Sequence, residues 1–400
     1  MKRILPIFLS LTFLLLAFAG CSKPAQPNEG KFTDSQEYLI DPVEEVNMCE
    51  SEDSCYYLYN NFIYVIDKKT HKATVLCNKS DCLHDKESDY KKCSGYFSCS
   101  GASVLRYYDG SLYVSSNEER RDKDGNLHFY SQIYRASSDG ANRELVYETD
   151  EMEILDFKTH RGFIYITASK YDEEGNSGSN SANLYRLPID GGKVGRLKVK
   201  YYDKRRDFSN KDLEGFSVSR QHFFGDYMYI RYEGRENGKA ADSLARVNLN
   251  TLKSEEIGTN LNLTLPDFTV LNDKLYYVSD QKLFSADTDG TGEKFIKDLS
   301  SYGYKGGYTV FAADGKNVVV NCYNSDNASE NTNGNQMLFN PKTKTIEHIK
   351  IPYISNIGGT PDCLLVSNED ADKDNSLYYV DKTKLNTENY CKKIYDFPRK

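Results

Sequence analysis

The sequence predicts an all-β chain folded as a β-propeller of four-stranded blades: seven by the count of repeats, with six or eight as the alternatives. Three observations carry this: short alternating apolar runs at blade spacing, a hairpin after each run, and no stretch of sustained helical apolar periodicity. A single continuous sandwich is the rival architecture, and it would lack the regular two-part repeat.

The runs are Leu112-Tyr113-Val114, Ile164-Tyr165-Ile166, Met228-Tyr229-Ile230, Leu275-Tyr276-Tyr277-Val278, Val318-Val319-Val320 and Leu364-Leu365-Val366. Period-two patterning in aromatic and β-branched residues predicts half-buried strands. Turn residues precede most of them, as at Asp109-Gly110, Arg161-Gly162, Gly225-Asp226, Asn272-Asp273 and Asp314-Gly315. Each run then leads, after a variable insert, to a hairpin. Ile133-Tyr134-Arg135 turns at Asp139-Gly140, Leu184-Tyr185-Arg186 at Asp190-Gly191, and Leu283-Phe284-Ser285 at Asp289-Gly290. Asp-Gly between alternating runs predicts type I′ turns, which need positive φ. An earlier copy, Phe62-Ile63-Tyr64-Val65 through Thr70-His71 to Val75-Leu76, completes seven. Its innermost strand is missing from the pattern; residues 37–50 either supply it or close the ring against the last blade.

The Leu-Tyr-Arg…Asp-Gly hairpins resemble those of TolB-type propellers and of the bacterial β-propeller family named for its likeness to low-density-lipoprotein-receptor-related propellers, over residues 104–396. Cys77-Asn-Lys-Ser-Asp-Cys82-Leu-His84-Asp is similar to a signature of Gram-positive lipoproteins carrying this propeller. The resemblance implies an extracytoplasmic surface protein and brings no activity with it.

Lys2 and Arg3 followed by an apolar run from Ile4 to Ala19 read as a secretory signal. It ends in Phe18-Ala19-Gly20-Cys21, which resembles the bacterial lipobox and implies cleavage before Cys21 and acylation of its thiol. An ordinary cleaved signal with a coincidental cysteine is the alternative. The expected organisation is therefore a lipoprotein signal peptide at 1–20, a lipidated flexible tether at 21–36, and one propeller at 37–400 with a Cys-rich inter-blade connection at 77–103. Cleavage removes Lys2 and Arg3 and takes the formal net charge from −8 to −10. A chain that acidic is not expected to bind nucleic acid.

In a propeller, the inserts expected at 117–130, 169–182, 232–242, 322–335 and 367–376 share one face with the long inter-blade connections 78–103, 200–216 and 297–308. Tyr96, Phe97, Tyr202, Tyr302, Tyr304 and Tyr323 fall there and are the candidate binding residues, since tyrosine offers rigid contact area at low entropic cost. The plainer reading is that these rings pack the loops against one another.

Nine cysteines follow Cys21, so at least one has no cysteine partner. Three states stay open for them: disulfides, reduced packing thiols, or a zinc site formed by Cys77, Cys82, His84 and Cys93. Asp370, Asp372 and Asp374 resemble a calcium loop with Asp381 as its twelfth residue, though Leu377–Val380 reads as strand. No catalytic site is legible: His-Glu-x-x-His, Gly-x-Ser-x-Gly and a phosphate-binding glycine loop are all absent, and the six histidines are scattered. Ser285-Ala-Asp287 resembles only part of the sialidase Asp-box. The expectation is a non-catalytic binding module for a protein, peptide or glycan at the cell surface. An extracellular lyase or glycosidase, or an envelope-assembly or sensory scaffold, is the alternative.

Overall fold

A computed structural model describes residues 47–84, 92–99, 104–171, 182–199, 213–236, 239–240, 243–258, 261, 267–323, 333–352, 356–359, 363–370, 374–385, 387 and 390–396. Cys21, the tether and Tyr202 lie outside these residues. The chain is a seven-bladed β-propeller, each blade an antiparallel sheet of four strands consecutive in sequence. Blade 1 is Met48–Glu50, Ser54–Tyr59, Phe62–Asp67 and Ala73–Val75; blade 2 is Leu105–Tyr108, Ser111–Arg121, Leu127–Ser137 and Arg143–Thr149. Blade 3 runs from Met152 to Arg196 and blade 4 from Leu213 to Glu256, with Lys239–Ala240 added to the second strand of blade 4. Blades 5, 6 and 7 span Phe268–Asp298, Gly307–Pro352 and Asn356–Asp396. Among the described residues the only helices are 3-10 turns, and none is long and apolar enough to cross a membrane.

The missing innermost strand of blade 1 is Met48–Glu50, paired with Ser54–Tyr59. Among the described residues the first and last blades exchange no strand, and side chains of the two blades pack together across the closure.

The core explains the apolar runs and corrects one expectation. Seven apolar clusters each straddle one seam between neighbouring blades, blade 7 to blade 1 included. Alternate residues of the second strands therefore face opposite neighbours. Leu112 and Val114 pack toward blade 1 while Tyr113 packs toward blade 3. Ile164 and Ile166 face blade 2 while Tyr165 faces blade 4. These strands are buried on both faces, not half-buried: Ile164 and Tyr165 are each 0% exposed. Stacking sheets face to face converts period-two alternation into a continuous apolar run.

Polar bonds cross the seams as well. Gly162 N–H donates to the Tyr108 hydroxyl at 2.7 Å, Arg106 reaches Asp156 at 3.0 Å, and Arg231 reaches Asp267 at 2.8 Å. The Asp-Gly expectation holds at Asp109-Gly110, where both residues have positive φ (47° and 81°). It fails at the outer hairpins, where Gly140 takes positive φ and Asp139 does not, and Gly140 N–H donates to Ser137 C=O at 3.0 Å. A second demand fixes those glycines. The turns at Gly140, Gly191 and Gly290 each sit against backbone at the outer edge of the preceding blade, and a Cβ at Gly140 would lie 3.1 Å from the Leu76 carbonyl oxygen.

Candidate metal centre and the looped face

Because neighbouring strands run antiparallel, the turns between second and third strands emerge at the same end as the connections between blades. The first such connection links Val75 of blade 1 to Leu105 of blade 2. Its later part is laid down almost as an extra strand. Ile63 N–H donates to Gly95 C=O at 2.9 Å, Phe97 N–H donates to Asn61 C=O at 2.8 Å, and Tyr96 bridges Phe62. Gly95 is required at this contact, since a Cβ would lie 3.1 Å from the Leu76 carbonyl carbon.

This backbone course gathers Cys77, Cys82, His84 and Cys93, whose ligand atoms all lie within 4.8 Å of one another. Cys93 is 1% exposed and belongs to the seam between blades 7 and 1, with Cys77 and Cys82 packed against it. The His84 ring stands edge-on to Phe62, centroids 6.1 Å apart, and its backbone takes φ +59°, a conformation uncommon outside glycine. His84 Nε2 is buried without a hydrogen-bond partner among the described residues. Burial raises the Cys77 thiol, but the His84 ring, the Lys79 backbone N–H, Ser94 and Cys93 around the sulfur outweigh it and bring the thiol to about 6. Cys93 is pushed up to about 12, first by burial and then, against the Gly95 N–H, by the neighbouring Cys77 and Cys82 sulfurs. A cavity of about 570 Å³ opens beside the cluster, lined by Lys79, Asp81, Cys82, Lys92, Cys93, Ser94, Ala141 and Arg143.

The calcium-loop expectation fails at its closing ligand. Asp370 and Asp374 face each other across a hairpin, and Asp374–Asp381 is a continuous strand, so Asp381 lies at its far end. There Asp381 accepts from Thr383 N–H at 3.0 Å and from Lys384 at 2.7 Å. Asp372 lies outside the described residues.

The candidate binding aromatics mostly hold the connections in place. Phe97 is 1% exposed, in the core of the seam between blades 1 and 2, with the Arg143 guanidinium 5.1 Å above its ring. Tyr96 packs edge-on to Phe62 at 5.3 Å. Tyr302 and Tyr304 pack on the seam between blades 5 and 6, with His348 5.0 Å and 6.3 Å from their rings. Tyr323 is half-buried at a strand end opposite Gly307.

Exposed apolar side chains on this face come from elsewhere. The insert expected at 117–130 is not a loose loop: the second and third strands of blade 2 stay paired as far as Arg121 and Leu127. On one side of this ribbon Arg120 bonds Glu118 at 2.6 Å and Glu148 at 2.8 Å and lies 4.3 Å over the Tyr130 ring. On the other side Leu127 is 40% and Phe129 41% exposed. Leu83, beside the metal-type cluster, is 68% exposed. Sequence reasoning passed over these residues, although two large apolar residues at alternate positions in an otherwise charged insert were a visible signal.

No protein-family model and no curated protein matches the chain. Solved structures resemble it as propellers. The β-propeller domain of the Trilobed protease from Pyrococcus furiosus is 11% identical with a TM-score of 0.49, covering 90% of this chain and 96% of that one. Porphyromonas gingivalis dipeptidyl peptidase 4 is 10% identical with a TM-score of 0.44, covering 94% of this chain and 62% of the peptidase, so the chain spans less than two thirds of that enzyme. A putative TolB from Agrobacterium tumefaciens is 13% identical with a TM-score of 0.34, covering 75% and 92%. At these identities the likeness concerns the fold alone, and the fold assignment rests on the strand pairing of the chain itself.

Proposed function

We propose that this chain is a membrane-anchored, extracytoplasmic binding module that engages a protein, peptide or glycan through the looped face of its propeller. The observation that carries the reading is the ribbon of blade 2. Its charged side is satisfied internally, while Leu127 and Phe129 stand exposed at its end. Exposed apolar groups on a stiff support are the usual material of a recognition surface. The buried ionisable groups support binding over turnover, because Arg106, Arg231 and Lys382 are each committed to a carboxylate across a seam. The lipid anchor rests on the Ala19-Gly20-Cys21 sequence.

Solid-phase binding of the full chain to isolated cell-wall glycan, peptide and envelope-protein fractions tests this. Replacing Leu127 and Phe129 together by serine is expected to weaken retention on one fraction at least tenfold, equivalent to about 1.4 kcal/mol. Unchanged retention, or wild-type turnover of any fraction, would refute the reading. For the anchor, palmitate labelling is expected in the native chain and lost in Cys21→Ala; a native chain without label, or a label that survives the substitution, overturns Cys21 as the acylated residue.

A further inference from the structure

We infer that Cys77, Cys82, His84 and Cys93 form a structural zinc site that clips the first inter-blade connection onto the propeller. A tetrahedral site with zinc–sulfur bonds near 2.3 Å has donor-to-donor edges of about 3.8 Å. The four donors already lie within 4.8 Å of one another, so contraction by about 1 Å closes the shell. Three sulfurs and one imidazole are the soft, closed set that selects zinc over calcium or magnesium.

Three further points lead the same way. A disulfide would use two of the sulfurs and leave one thiol and the imidazole idle, whereas one metal ion uses all four. His84 Nε2 is a buried atom with no hydrogen-bond partner among the described residues, on a residue held at φ +59°. Backbone strain of this kind persists where the surroundings fix it. Three thiolates and one zinc ion leave a net −1, and among the described residues Lys79, Lys92 and Arg143 line the adjoining cavity with one acid, Asp81.

Between Leu76 and Tyr96 the described part of the connection is held by two short hydrogen-bonded turns, by the Lys79 ammonium donating to the Lys92 carbonyl, by the Ile63–Gly95 bond and by the apolar contacts of the cysteines. The metal adds a four-way cross-link to these and fixes Leu83 on the looped face. Loading displaces thiol protons to solvent and involves no change of oxidation state. The inference stands whether or not that face binds a partner.

Elemental analysis of the full chain, purified without chelator, is expected to find about one zinc per chain, with Cys77, Cys82 and Cys93 protected from alkylation until the metal is stripped. Cobalt(II) exchanged into the site should give the visible bands of a tetrahedral thiolate complex. His84→Cys should keep the metal with altered cobalt bands. Cys82→Ser with His84→Ala should lose it while near-ultraviolet dichroism still reports folded blades. A chain that binds no zinc when supplied with it, that carries iron instead, or that shows a disulfide among these three cysteines by mass spectrometry overturns the assignment.

Discussion

Gly290 shows how one residue answers to two constraints. Its φ is +82°, and the Ile257 carbonyl of the preceding blade occupies the space a Cβ would need. Gly290→Ala is therefore expected to destabilise the chain by more than about 1 kcal/mol, read as a lowered denaturation midpoint. The same change at Gly110, which has positive φ but nothing within 4 Å, isolates the backbone component and should do less harm. His160 carries the clearest pH signature. Burial pushes its imidazole from the ordinary 6.5 down to about 4, only partly opposed by the Gly225 carbonyl 3.0 Å from Nε2. As pH falls through this window the unfolded state binds the proton first. The stabilisation is thus complete above about 6.5 and is lost progressively toward about 4, up to about 3 kcal/mol. His160→Gln, which keeps a donor for Gly225, should flatten that part of the pH profile in urea titrations. At this scale the sequence revealed which residues were chemically notable but not their neighbours. The glycine of Asp289-Gly290 was legible as a turn, while its contact with Ile257 depends on a seam between blades.

Single elements show where pattern reading succeeds and where it stops. Alternation located the second strands of blades 2 to 7 and passed over Ser54–Tyr59 of blade 1, and it could not tell one buried face from two, because large aromatics such as Tyr113 and Tyr165 satisfy either. The spacing of Cys77, Cys82, His84 and Cys93 left three chemistries open, and only the fold of the connection over Phe62 and Ile63 brought the four donors together. The candidate binding aromatics left two roles open for a related reason. A tyrosine or phenylalanine in a long connection is as useful for pinning that connection as for touching a partner, and Phe97 does the pinning. A second element-level device joins the last two blades. Lys382 and Asp314 pair at 2.6 Å with side chains 3% and 0% exposed, and Asp314 also accepts from Asn317 N–H at 2.6 Å. Lys382→Met leaves that carboxylate buried without its cation and should cost about 3–5 kcal/mol in chemical denaturation. Replacing both partners by apolar residues should recover much of the loss.

For the molecule as a whole, the ring was the most legible feature, because seven repeats of one two-part unit leave few other arrangements that bury both faces of every sheet. Its closure was not legible. The pattern allowed residues 37–50 either to start blade 1 or to complete blade 7, and Met48–Glu50 does the former. Among the described residues no ladder hydrogen bond spans the junction. It is held by Met48, Tyr57 and Tyr64 against Leu365, Leu377 and Tyr395, with the His71 ring stacked 4.1 Å from Tyr379.

That junction lies where the propeller's first described strand begins. A pull applied from the amino-terminal side would load it before any other boundary, and would separate two greasy surfaces by sliding instead of unzipping a sheet. The disc would open like a clasp ring at its gap, blade 1 lifting away while the remaining six stay stacked. In single-molecule stretching from the amino terminus, an early extension of about one blade's length before the main rupture is the expected trace, and pulling between residues inside blades 3 and 5 should lack it.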